Sequence, residues 1–234
     1  MKKRNLLVTV LLVFTMLVGA CGAKVSPFEG KWVGTFDMTD YVMEMVSADE
    51  SFASYEEYLH LENLILKVDF AFEGENMNME VDDASVDELV ANLETSMYNM
   101  MDEMMKDMLL EQYKTMFDGV ETLDDVAALT GGMFADGQAI LDSVATSTGY
   151  TDYESMITET VASINMGEMM EEACGSLDLA GTYDYDEESG ILTFYYEDDT
   201  YEEMQYKFTD DDLVIRVSAE DIEFDFHCEK VTEE

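Results

Sequence analysis

Apolar and polar residues alternate through most of the stretch from Gly181 to Val231, and this period of two is the feature that most constrains the fold. Alternation puts one set of side chains on one face of a strand and the other set on the opposite face. Short runs rich in Gly, Asp, Glu and Ser separate five such segments, and these residues favour tight reversals. The stretch therefore predicts a five-stranded antiparallel meander with one apolar face. Its apolar set is Leu192, Phe194, Tyr196, Met204, Tyr206, Phe208, Leu213, Ile215, Val217, Ile222, Phe224, Phe226 and Cys228.

Three more strands are predicted nearer the amino terminus, at residues 30–37, 63–73 and 77–81. Gly74 lies in the turn that joins the second and third of them into a hairpin. Between the first two, residues 40–61 repeat apolar side chains at three- and four-residue spacing, which predicts one or two short helices that cover a barrel mouth. Eight antiparallel strands can close into a barrel and lose both sheet edges, and the alternative is an open sheet packed on helices. We predict an α+β fold with an eight-stranded antiparallel barrel or a strongly curled sheet.

The apolar pattern changes from a period of two to a period of about 3.6 between residues 84 and 174. Capping-box sequences at Thr122 and Thr151 divide this stretch into several helices, the last of them predicted at residues 153–173. A structureless connection of this length would be unusual in a compact domain. Residues 84–174 are therefore predicted to be a helical insertion between strands 3 and 4.

Residues 1–20 have the order of an export signal: three cations, then an apolar stretch, then small residues. The sequence Val18-Gly19-Ala20-Cys21 resembles the lipobox of bacterial lipoproteins, in which the signal is cleaved before the cysteine and the thiol is diacylglycerated. The resemblance implies that Cys21 carries a lipid, that residues 21–27 form a tether of roughly 20 Å when extended, and that residues 28–234 form the folded domain. The alternatives are an ordinary signal peptide and an uncleaved membrane helix. The implied location is the extracytoplasmic face of the cell membrane, with the lipid as anchor.

The mature chain predicted in this way is extremely acidic. Removal of the signal takes away three cations and leaves 8 Lys and Arg against 54 Asp and Glu, a formal charge of −46. Such a surface repels phosphate backbones, so nucleic acid is excluded as a partner. High net charge is also typical of disordered chains, but 47% apolar residues in periodic order predict a folded domain.

The sequence Gly30-Lys31-Trp32 at the start of the first strand resembles the Gly-x-Trp signature of lipocalins and of lipocalin-like domains in bacterial lipoproteins. In that family the tryptophan closes one end of an eight-stranded barrel, and a late arginine often packs across it. After the signal this chain has one arginine, Arg216, on the strand before the last and on the polar side of the alternation. The resemblance implies a binding protein for a small apolar ligand held in the barrel. The predicted lining is Trp32, Phe70, Phe194, Tyr206 and Phe224.

Twelve of the twenty methionines lie in the helical insertion, and the densest group is Met100, Met101, Met104, Met105 and Met108. Thioethers at helical spacing fit a packed core, a Cu(I) site or a flexible apolar docking face. The alternative function is therefore a protein-interaction module that docks an envelope partner through Met-rich helices.

Cys174 and Cys228 are the other cysteines, and an exported chain can bridge them, with two buried free thiols as the alternative. Neither His60 nor His227 belongs to a recognisable catalytic or metal-ligand spacing, and the acidic run at residues 210–212 lacks the pattern of a calcium loop. We predict no cofactor, no metal and no enzymatic activity.

Overall fold

The structure is a computed structural model and describes residues 26–48, 57–175, 177–198, 200–209, 212–219 and 222–232. Three predictions lie outside these residues: the signal at residues 1–20, the lipid on Cys21 and most of the tether. Among the residues that are described, no helix combines the length and the apolar character needed to cross a membrane.

Eight antiparallel strands pair in chain order, and the last pairs with the first, so that the sheet closes into a barrel. The predicted eight-stranded antiparallel sheet in an α+β fold is therefore confirmed. The strands are β1 (Gly30–Asp37), β2 (Ile65–Glu73), β3 (Asn76–Val81), β4 (Leu179–Asp186), β5 (Ile191–Tyr195), β6 (Tyr201–Thr209), β7 (Asp212–Ala219) and β8 (Ile222–Lys230).

The residues that alternate towards the barrel axis form one continuous core, to which Trp32 and Phe72 belong together with Ile215 and Phe224. Besides Cys228, twelve of these inward side chains are at most 2% exposed, so side chains fill the interior in the way that small eight-stranded barrels allow. They are Leu66, Val68, Phe70, Phe72, Met77, Met79, Leu192, Phe194, Met204, Leu213, Ile215 and Phe226.

Five helices connect β3 to β4, and the described part of the connection from β1 to β2 contains one helix. They are α1 (Thr39–Ala48), α2 (Asp83–Lys114), α3 (Leu123–Leu129), α4 (Gly137–Ser147), α5 (Tyr153–Ala162) and α6 (Met166–Gly175).

Helix α1 covers one mouth of the barrel. Val42 and Met43 pack against the barrel core, and the ring of Tyr41 lies 6.5 Å from that of Phe224. Most of the second helix that the apolar spacing allows before β2 falls on residues 49–56, which lie outside the described residues. Residues 57–64 form a turn and an irregular segment that buries Leu59, Leu61 and Leu64 against the core.

Local caps explain where the insertion helices begin and end. The predicted capping box at Thr122 is present, and its hydroxyl accepts from the backbone N–H of Asp125. The second box begins at Asp152, one residue later than predicted. The last predicted helix is split into α5 and α6 because Asn165 adopts a left-handed conformation with φ of 55°, which asparagine tolerates.

The two ends of the barrel are different. We call the end that carries the turns at residues 74–75 and 187–190 the Phe28 end, because Phe28 lies there. We call the other end the helix end, because α1 follows β1 there and α2 follows β3. Helix α2 links the two parts of the molecule, since Leu93 and Met101 pack against both the barrel core and the core of the insertion.

We expect Gly181→Ala to lower the free energy of unfolding by about 2–3 kcal/mol. A Cβ at Gly181 would lie 2.2 Å from the backbone carbonyl oxygen of Tyr195 on the paired strand, which cannot move without disturbing the sheet. Gly167→Ala is the matched control, because nothing lies within 4 Å of its Cβ position and alanine favours helix α6. Urea unfolding followed by circular dichroism measures both, and equal losses would contradict the close approach at Gly181.

Candidate functional site

The five aromatic residues predicted to line a ligand cavity all belong to the barrel core. The structure brings them together, as expected, but it surrounds them with other side chains. Phe194 is fully buried, Phe70 is 1% exposed and Trp32 is 6% exposed. Phe224 is also buried and Tyr206 is partly exposed near the Phe28 end. These residues therefore pack in a filled interior, and the ligand stays a prediction.

Phe28 closes one end of the barrel, although it precedes the first strand. Its side chain is fully buried and sits in a cage of aromatic rings that face the barrel axis. The ring centroids lie 5.1 Å away for Phe72, 6.0 Å for Tyr183, 5.3 Å for Tyr185, 4.8 Å for Tyr206 and 5.1 Å for Phe208. Most of these contacts are edge-to-face or tilted, which is the favoured geometry for aromatic pairs.

Polar contacts hold the same segment in place. The indole Nε1–H of Trp32 donates to the carbonyl oxygen of Phe28 at 2.6 Å, and the hydroxyl of Tyr183 donates to Ser26 Oγ at 2.8 Å. Burial raises the pKa of Tyr183, so the hydroxyl remains a donor at neutral pH. The backbone N–H of Gly74 also donates to the Glu29 carboxylate at 3.2 Å. Residues 26–29 are therefore fixed to the Phe28 end.

The cation that covers Trp32 is Lys230, not an arginine. Its Nζ lies 5.1 Å from the centre of the indole ring, at the end of the last strand. Arg216 instead forms a two-point ion pair with Asp225 on the outer surface, with distances of 2.5 and 2.7 Å. This pair raises the pKa of Arg216 and lowers that of Asp225. The sequence contains a hint of this position, because Lys230 lies two residues after Cys228 on β8 and so falls on the inward side of the alternation.

The predicted methionine group does not form one face. Met100 is buried in the barrel core, Met101 and Met105 pack into the insertion core, Met104 is partly buried, and Met108 is 54% exposed. Because α2 is enclosed by packing partners on more than one side, most of its methionines are core residues.

A different set of apolar side chains remains exposed on the insertion. It lies in residues 108–133, from the end of α2 to the turn after α3. We call these four residues the distal apolar face: Met108, Met116, Leu129 and Met133, with exposures of 54%, 57%, 55% and 76%. Met169 on α6 is a further exposed apolar side chain of the insertion, at 63%. Apolar side chains that cluster on a surface commonly mark contact sites.

The surroundings of the distal apolar face are acidic. Residues 84–174 contain 19 Asp and Glu but 2 Lys and no Arg. Both lysines are paired within α2: Lys106 lies 2.7 Å from Asp102, and Lys114 lies 2.7 Å from Glu111. The insertion therefore presents apolar groups in a strongly negative field.

Cys174 and Cys228 are both buried, free thiols, so the disulfide considered for this pair is not formed. Cys228 faces the barrel interior next to Gly34, whereas Cys174 lies on α6. Burial raises the pKa of Cys228 to about 12, and burial together with the charge of Asp178 raises the pKa of Cys174. Both thiols should therefore be unreactive in the native state.

Other candidate features are sparse. Among the described residues, no group of three or more His, Cys, Asp or Glu is placed to hold a metal ion. His60 and His227 are both exposed. Concave regions occur on the outer face of β1–β3, with a volume of about 550 Å³, and between α2 and α5, with a volume of about 330 Å³. Comparison of the chain with known protein families, with curated proteins and with solved structures gives no match.

We expect Cys174 and Cys228 to react with an alkylating reagent at pH 8 at least ~100-fold more slowly in the native protein than in denaturant. Cys174 should react first, because it is 6% exposed and Cys228 is 1% exposed. Mass spectrometry of the labelled peptides measures both rates, and an exposed cysteine introduced by Thr209→Cys serves as the fast control. A linked pair of Cys174 and Cys228 peptides, or rapid native labelling, would be the contrary result.

Proposed function

We propose that the protein is a lipoprotein tethered to the extracytoplasmic face of the cell membrane, and that its helical insertion docks a protein partner. The lipobox resemblance at Cys21 supports the tether. The Gly-x-Trp sequence, the closed eight-stranded barrel and the lysine packed over Trp32 support a lipocalin-like domain. In this proposal the barrel is a filled support and the insertion carries the contact surface.

The contrast between the barrel interior and the distal apolar face carries this proposal. Inward side chains occupy the barrel, whereas the four residues of the distal apolar face are each more than half exposed. Covering apolar surface with a partner contributes roughly 25 cal/mol for each Å² removed from water. The filled interior and the exposed apolar residues therefore favour docking of a protein over storage of a ligand inside the barrel.

The partner should present an apolar and basic surface. The paired lysines of α2 leave most carboxylates of the insertion without a cation, so positive groups on the partner are attracted and acidic surfaces are repelled. Three of the four side chains are methionines, whose flexible thioethers adapt to irregular apolar surfaces.

The test replaces Met108 and Met133 together by serine in the full-length protein. Crosslinking in the native host, followed by purification and mass spectrometry, identifies proteins bound to the wild type. We expect the yield of the specific partner to fall about tenfold or more in the double variant, because two exposed anchors of the contact are lost.

Tyr195→Ser with Tyr201→Ser is the matched control, because these side chains are 40% and 62% exposed but lie on the barrel. The control should retain the partner. A partner that is lost equally from both variants, or that is retained by the Met variant, would refute docking through the distal apolar face.

A small apolar ligand is the second candidate function, and the aromatic cage around Phe28 is the observation that favours it. The cage already accepts a phenyl ring, and that ring belongs to a four-residue segment that precedes the first strand. A ligand with an aromatic group would enter at the Phe28 end by taking the place of this side chain.

We expect Phe28→Ala to lower the free energy of unfolding by about 3–5 kcal/mol and to create a cavity that binds benzene. Calorimetry should show benzene raising the melting temperature of this variant but not that of the wild type. Phe134→Ala in the insertion is the control for a general loss of packing. Native mass spectrometry of wild-type protein from its host then tests the natural function, and repeatedly empty protein would count against a ligand.

A further inference from the structure

We propose that the Phe28 end of the barrel docks on the surface of the lipid bilayer, so that the insertion is presented on the side away from the membrane. This docking rests on the lipid proposed for Cys21. It adds an orientation and a second interaction surface, which neither the lipobox nor the strand pattern contains.

The segment that precedes β1 is fixed at the Phe28 end of the barrel. Ser26 accepts from the Tyr183 hydroxyl, Phe28 is buried in its cage, and Glu29 is bonded to the Gly74 turn. Ser26, the first described residue, is therefore held at the Phe28 end. Five residue steps separate Ser26 from Cys21, which gives a reach of about 18 Å at full extension.

This reach is shorter than the height of the barrel. The longest strands have nine residues. At roughly 3.3 Å per residue and a tilt of 35–45°, they give a height of about 20–25 Å. A tether that begins at the Phe28 end cannot run past the whole barrel, so the helix end cannot be the end that meets the bilayer.

The Phe28 end presents exposed apolar side chains next to lysines. Phe208 is 38% exposed at the mouth of the barrel, and Val231 is 45% exposed just after β8. Lys31, Lys207 and Lys230 lie near the same strand ends, whereas Arg216 is occupied by its pair with Asp225. Apolar groups beside lysines suit the interface between headgroups and acyl chains, where lysine stems lie along apolar surface with the charge in water.

Carboxylates at the Phe28 end determine which lipids it accepts. They outnumber its three lysines and include Glu29, Glu73, Glu75, Asp186, Glu188, Asp212 and Glu229. An anionic membrane should therefore repel this end at low ionic strength, and a zwitterionic membrane should accept it. The proposed surface is accordingly one of phosphatidylcholine-like headgroups, or an anionic surface screened by salt.

The experiment uses the full-length chain, expressed with its signal and reconstituted in vesicles of phosphatidylcholine that contain a lipid with a nitroxide on its headgroup. One fluorophore is attached through Thr209→Cys at the Phe28 end, or through Met133→Cys on the distal apolar face. Cys174 and Cys228 are buried and remain unlabelled, and the proposed lipid blocks the thiol of Cys21. We expect quenching of the label at position 209 to exceed that at position 133 about threefold or more, because the headgroups lie beside the Phe28 end.

Two further arms test the chemistry of the contact. In phosphatidylglycerol vesicles, quenching at position 209 should be weak at low salt and should recover at ~0.5 M salt. Val231→Ser should reduce the quenching at position 209, whereas Tyr201→Ser, which changes an exposed residue at the helix end, should leave it unchanged. Equal reduction by both variants would overturn the contact through the Phe28 end.

Mass spectrometry of the amino-terminal peptide separates this inference from the proposed function. A lipid on Cys21 combined with equal quenching at positions 209 and 133 overturns the orientation and leaves the lipoprotein standing. An unmodified Cys21 overturns both. Loss of partner binding in the Met108 and Met133 variant with unchanged quenching at position 209 supports two separate surfaces.

Discussion

Pairing between β1 and β8 is the constraint on which the rest of this molecule depends. Residues Trp32 to Thr35 pair with His227 to Lys230, and the bond from the Val231 N–H to the Lys31 carbonyl oxygen extends the contact by one step. Without this seam the sheet would have two open edges, each a template for pairing with another chain. With it, the alternating apolar residues of all eight strands face one interior and need no second layer to cover them.

Closure of the sheet also explains why the interior needs glycine at certain positions and one additional aromatic side chain. Gly34 leaves room for Phe70, since a Cβ there would lie 2.7 Å from that ring, and Gly181 does the same beside β5. At the Phe28 end the ring of Phe28 packs among the rings of Tyr206 and Phe208. The interior is thus completed by a residue from outside the strands, and residues 26–29 are fixed to the barrel by the same contact.

The sequence was informative wherever one periodic rule applied over several residues. Alternation identified the strands and their inward residues, and the change of period at residue 84 located the insertion. It was less informative where contacts are not periodic: Phe28 has no repeat partner, and Asn165 splits a helix whose apolar spacing is continuous. The methionines of α2 are divided between the barrel core, the insertion core and the surface, so their burial depends on tertiary packing. Whether the barrel interior is empty is a question of summed side-chain volume, which periodicity does not contain.

The site of the insertion follows from the same geometry. Like the β1–β8 seam, the β3–β4 seam pairs over four residues, and it is extended by the bond from the Tyr183 N–H to the Glu75 carbonyl oxygen and by that from the Val81 N–H to Asp178. The bond from Val81 to Asp178 restrains the point where the chain leaves and re-enters the barrel, and the bond from Tyr183 to Glu75 holds the opposite end of the same seam. The helical insertion can therefore form its own core outside the barrel without opening the sheet. Residues 26–29 are fixed at one end of the barrel and the insertion leaves from the other, so the proposed membrane contact and the proposed partner contact would not compete for the same space.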